Sequence, residues 1–66
     1  MENTMLHNQI RKVFDTDAAF GLAIGWVPQK VNKLIYGKYT PKLVESVPIA
    51  RALGVSLDEF SSFFTQ

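Results

Sequence analysis

The chain has 66 residues, 47% of them hydrophobic, with no cysteine and a formal net charge of +1. That length allows a single domain, residues 1–66, near the lower limit for folding without staples, since a domain of about 60 residues buries only about 60% of its unfolded surface. The composition excludes a disulfide framework, a thiolate metal site and a disordered chain, and a charge this small does not by itself imply a polyanionic partner.

Residues 1–5 are polar and carry Glu2, so no signal peptide is expected there. Leu6, Ile10 and Val13, with Phe14 beside them, recur at helical spacing and predict a first helix over residues 4–15. Arg11 and Lys12 read as its solvated face. His7 has no second histidine or cysteine with which to share a metal, so its expected role is structural.

Thr16 is the N-cap expected for a second helix, with Asp17 well placed against the dipole in its first turn. Gly25 can take the left-handed conformation that closes that helix. Pro28 suits the first turn of a third helix, because its missing N–H would be unbonded there anyway. Val27 is a poor cap. Gly21 falls where the two helices nearly touch, Phe20, Ile24, Val31 and Leu34 face inward, and Trp26 is expected to pack just after the turn. Residues 18–28 form an uncharged run of eleven, far short of the about 20 apolar residues that span a bilayer.

Gly37 is expected to end the third helix, and Thr40-Pro41 to start a fourth with the inward stripe Leu43, Val47, Ala50 and Leu53. Pro48 leaves two readings: a kink before it, which is preferred, or a shorter helix capped by Ser46. Ser56-Leu57-Asp58-Glu59 is a capping box that opens a fifth helix over residues 57–64, carrying Phe60, Phe63 and Phe64. No internal repeat and no strand is evident. The expected fold class is an all-α, compact five-helix bundle.

Charge is distributed unevenly. Residues 26–42 hold Lys30, Lys33, Lys38 and Lys42 and no acid, whereas residues 43–66 hold Arg51 against Glu45, Asp58 and Glu59. The basic stretch coincides with the helix pair at residues 17–36. Asp, Ser and His occur in no spacing that suggests a triad, a carboxylate pair or a phosphate-cradling loop. No enzyme activity, cofactor, metal site or small-molecule ligand is expected.

Over roughly residues 10–60 the chain resembles the Cro/C1-type (phage lambda repressor-like) helix-turn-helix domain of phage repressors and bacterial regulators. The residues that carry the resemblance are Phe20, Gly21, Ile24 and Gly25, then Val31 and Leu34, Gly37-Lys38 and Pro41, and the closing run Ile49-Ala50-Arg51-Ala52-Leu53-Gly54-Val55-Ser56-Leu57-Asp58-Glu59. The resemblance implies a repressor in the cytoplasm of a bacterium, or of a phage's host, that binds the major groove of double-stranded DNA. The third helix would be its recognition helix. Gln29, Asn32, Lys33 and Tyr36 would then read base edges, and Lys30, Lys38 and Lys42 would hold phosphates.

Three features depart from the family pattern. Asp17 stands where the family carries a glutamine that touches the DNA backbone, the outward side of the second helix is apolar at Ala18, Ala19, Leu22 and Ala23, and Pro28 replaces a common polar contact. The aromatic C-terminal helix suggests a homodimer interface at Phe60, Phe63 and Phe64, matching half-sites about 34 Å apart. A second reading, motivated by Asp17, the apolar side and the low charge, is a protein-interaction module or antitoxin-like protein that has kept the fold with weak or no DNA affinity.

Overall fold

Helix starts in this chain follow its capping side chains. Asn3 Oδ1 accepts the Leu6 N–H at 3.1 Å, Thr16 Oγ1 that of Ala19 at 3.1 Å, and Ser56 Oγ that of Glu59 at 3.0 Å. The computed structural model describes residues 1–65. It contains α1 (Thr4–Val13), α2 (Asp17–Ile24), α3 (Pro28–Ile35), α4 (Leu43–Leu53) and α5 (Leu57–Ser62), and no strand among those residues. The radius of gyration is 10.5 Å, close to the about 11 Å of a compact chain this long. The bundle is all-α.

One core joins all five helices. Leu6 and Ile10 of α1 meet Phe20 of α2, Val31, Leu34 and Ile35 of α3, and Ile49, Ala50 and Leu53 of α4, with Phe60 and Phe63 closing it. Asn3 ties this core together at one end. Its N–H donates to Ile35 O at 2.6 Å and its Nδ2 to Phe63 O at 2.9 Å, so the start of α1 holds the end of α3.

Several expectations are corrected here. α1 stops at Val13 because Phe14 is already extended (φ −121°, ψ 143°), and Phe14 rather than Val13 packs inward, edge-on to Phe20 at 5.6 Å. α4 starts at Leu43 rather than at Thr40-Pro41, because the Glu45 carboxylate folds back to accept the Lys42 N–H at 2.9 Å. Its buried side is Ser46, Ile49, Ala50 and Leu53, while Leu43 and Val47 are exposed. Two apolar stripes compete on this helix, and the core takes the one carrying Ile49. The buried Ser46 hydroxyl donates to Lys42 O at 2.9 Å, so it goes inside with its proton satisfied. The helix continues through Pro48, which is exposed, as is Val44, whose carbonyl the proline cannot bond.

The aromatic cluster is the largest correction. Phe60 and Phe63 are only 1% and 5% exposed, packed edge-on to each other, and Phe64 is half-buried against Phe60. Phe60 and Phe63 complete the core of a small domain, so they are not a free dimer surface.

The turn between α2 and α3 recurs between α4 and α5. Gly25 (φ 76°, ψ 27°) and Gly54 (φ 70°, ψ 26°) are both left-handed. Each is followed by an N–H bonded back across the turn, Trp26 to Gly21 O at 2.8 Å and Val55 to Ala50 O at 3.1 Å. The next residues, Val27 (φ −72°, ψ 155°) and Ser56 (φ −72°, ψ 161°), are extended alike. The sequence hides this repeat because the side chains at the two corners differ.

Candidate nucleic-acid interface

α3 is short, and its direction is set by what it rests on. A Cβ added at Gly21 would lie 3.0 Å from Val31 Cγ2 and 3.1 Å from Trp26 O, so the two helices meet there with no room to spare. Val31, Leu34 and Ile35 are all at most 2% exposed and fix the inward side. Gln29, Asn32 and Lys33 are left in solvent on the other side, with Tyr36, 43% exposed, at the end of the helix. Lys38 and Lys42 are exposed in the loop that follows. The ion pairs of the described residues (His7–Glu2, His7–Asp17, Arg11–Asp17 and Lys30–Glu45) include none of Lys33, Lys38 and Lys42.

Lys30 behaves differently from the other lysines. Its ammonium donates to Glu45 Oε2 at 2.9 Å and sits 4.2 Å from the Trp26 ring centroid and 5.1 Å from that of Tyr39. Tyr39 donates its hydroxyl to Glu45 Oε1 at 2.6 Å and stacks edge-on to Trp26 at 5.8 Å. The Tyr39 hydroxyl, the Lys42 N–H and the Lys30 ammonium together hold the Glu45 carboxyl down at about 2. The same carboxylate raises the pKa values of Lys30 and Tyr39. Lys30 is thus matched by an acid from α4, and the free charge on this side comes from Lys33, Lys38 and Lys42. Sequence reading missed Glu45 because it lies outside the basic stretch. Its signal was its place three residues after Lys42, where a glutamate can close a helix start.

Asp17 is also compensated. Arg11 Nε donates to Asp17 Oδ1 at 3.2 Å, and His7 Nε2 lies 3.1 Å from the same oxygen. His7 Nδ1 faces Glu2 Oε2 at 2.6 Å, so both ring nitrogens meet carboxylates. The Glu2 bond leads in raising the His7 pKa above its ordinary 6.5, and Asp17 adds to it against a partly opposing burial. A phosphate approaching Asp17 therefore meets a carboxylate already paired with the Arg11 guanidinium and facing His7.

Between α2 and α3 runs an apolar groove of about 250 Å³. Gly21, Val31 and Trp26 form its floor, Ala18 and Leu22 one wall, Pro28 and Asn32 the other, and Asp17 closes one end. Leu22 is 84% exposed, on the outward side of α2 with the exposed Ala18 and Ala23. Pro28 and Asn32 are one helical turn apart on α3. The groove is therefore the flank of the side that carries Gln29, Lys33 and Tyr36.

Such a surface offers two amides, a phenol and mobile ammonium groups on a rigid cylinder, which can bond base edges and phosphates together. Comparison with known proteins finds no matching family model, no matching curated protein and no matching solved structure. No helix among the described residues is long and apolar enough to cross a membrane, and no group of three or more His, Cys, Asp or Glu there is placed to hold a metal ion.

Proposed function

We propose that this protein is a sequence-specific DNA-binding regulator of the helix-turn-helix type, acting as a phage- or mobile-element-type repressor by occupying an operator. α3 enters the major groove, Gln29 and Asn32 bond adenine edges, and Lys33 and Tyr36 reach bases or phosphates beside them. Lys38 and Lys42 hold the backbone and set the register. The observation that carries this reading is α3 itself, braced at Gly21 and Val31 while its amide- and lysine-bearing side stays in solvent. Lys30, paired with Glu45, adds to the local field less than a free lysine does.

Selection of bound sequences from a random duplex pool tests the proposal, backed by a salt titration on random duplex. A groove binder enriches a defined site and shows weak, steeply salt-dependent association even without it. Failure to enrich a site, with little or no association to random duplex, is what the second reading expects, a protein-interaction module or antitoxin-like protein with weak or no DNA affinity, which the apolar groove beside Leu22 favours. The proposal concerns one copy of the chain on one site. A homodimer would have to use a surface other than Phe60 and Phe63, which are core.

A further inference from the structure

Polar contacts to DNA leave the groove between α2 and α3 without a role. Its wall of Ala18, Leu22 and Pro28 cannot bond a phosphate, and what this lining suits is an apolar group. The groove opens beside Asn32, whose carboxamide matches the N6–H donor and N7 acceptor of adenine. In the major groove an A·T pair presents one apolar group next to those atoms, the C5-methyl of its thymine.

We infer that this groove is a thymine-methyl pocket, in which Leu22, Ala18 and Pro28 receive the methyl of the A·T pair whose adenine Asn32 reads. The inference rests on the DNA-binding reading and deepens it. Two charge features fit the occupant. Lys33, Lys38 and Lys42 enter no ion pair among the described residues and are available to flanking phosphates. Asp17, the acid at the end of the groove, is held by Arg11 and faces His7, so it repels the nearby backbone less than a bare carboxylate would. The exposed Leu22 thereby becomes a specificity residue, and the apolar side of α2 substitutes contact with base methyls for the polar backbone contact that Asp17 does not make.

The test uses a duplex selected from the random pool, with each thymine replaced singly by deoxyuridine, which removes the C5-methyl and leaves every hydrogen bond in place. Binding is followed by fluorescence anisotropy for the unaltered protein and for Leu22→Ala, with circular dichroism confirming that the variant is folded. Deoxyuridine at one or two positions is expected to weaken binding by roughly fourfold, the worth of burying one methyl-sized group. In Leu22→Ala the same replacement is expected to cost less than twofold. Deoxyuridine that is neutral at every position overturns the pocket while leaving DNA binding intact, as it must if the groove instead holds a protein segment. A deoxyuridine effect undiminished in Leu22→Ala also overturns it. Failure to enrich any duplex, with no salt-dependent association, removes the DNA-binding reading and this inference together.

Discussion

The corner between α2 and α3 and the corner between α4 and α5 share a backbone and differ in chemistry. Counted from their glycines, Phe20 matches Ile49, Gly21 matches Ala50 and Ile24 matches Leu53, while Val31, Leu34 and Ile35 match Phe60, Phe63 and Phe64. Both sets of anchors face the core. The outward positions diverge: Gln29, Asn32, Lys33 and Tyr36 at one corner correspond to Asp58, Ser61, Ser62 and Thr65 at the other, all exposed. A left-handed glycine, an extended residue and a short amphipathic helix are thus a general way to turn a corner. The outward side chains are where the proposed DNA-binding corner departs from the other, which makes α5 an internal control for α3.

The largest effect expected is on the anchors. Phe60→Ala should cost about 3–5 kcal/mol of unfolding free energy, enough to leave so small a domain largely unfolded, whereas Val31→Ala should cost nearer 2 kcal/mol. Urea titration measures both. A folded Phe60→Ala protein with altered self-association would instead restore the ring to a subunit interface.

Next comes the outward chemistry, where the two corners should part company. Asn32→Ala is expected to cost about 1–3 kcal/mol of binding to a selected site and to relax base preference at one position, as loss of a bidentate contact does. Ser61→Ala, the matching change at the other corner, should leave binding unaltered. Lys38→Ala should weaken all duplexes alike and lower the salt slope by about one unit. Equal effects at Asn32 and Ser61 in competition binding would remove α3 from the interface.

The place where the helices touch can be sharpened in the same way. Ala50 already carries the Cβ that Gly21 lacks, and at Gly21 that Cβ would stand 3.0 Å from Val31 Cγ2. Gly21→Ala should fall within about 1 kcal/mol of the parent, because alanine's helix propensity offsets the close contact. Gly21→Leu should cost about 3 kcal/mol by overpacking. Thermal melts order the three proteins, and a tolerated leucine would show that the helices stand apart.

Caps differ between the corners as well. Ser56 bonds the Glu59 N–H, whereas Val27, 60% exposed, offers α3 no side-chain cap. Val27→Ser should therefore stabilise the fold by about 0.5–1 kcal/mol, and Ser56→Ala should destabilise it by about 1 kcal/mol. Opposite shifts in melting temperature check the pair.

These corners also show what a sequence discloses. Thr16, Gly25, Pro28 and Ser56 act within a few residues of themselves, so the helices they bound were readable, and so was the outward register of Gln29, Asn32, Lys33 and Tyr36. α4 was misread because its start depends on Glu45, and Glu45 is placed by Lys30 and Tyr39 from other elements. The rings of Phe60 and Phe63 looked like surplus because the room for them is in the core that the other four helices form together. That is a property of the assembled core rather than of α5. Lys30 counted as free charge for the same reason: its partner arrives only when the chain folds.

The smallest expected effect lies at the end of the first corner, where Asp17 meets His7 and Arg11. The second corner has no histidine, so a pH response near neutrality marks the first. His7 has a raised pKa in the folded protein, led by its bond to Glu2. A raised folded pKa means that the stabilisation is fully present below the ordinary value of 6.5 and is lost as pH rises through the folded value. Unfolding free energy should therefore fall modestly as pH rises above the ordinary value of 6.5, the response being limited by solvent screening of these partly exposed pairs. His7→Gln should flatten that slope. A parent protein whose stability is level or rising over this range, relative to His7→Gln, would mean that the imidazole does not bridge Glu2 and Asp17 in solution. Asp17 would then rely on Arg11 alone to offset its charge beside the groove.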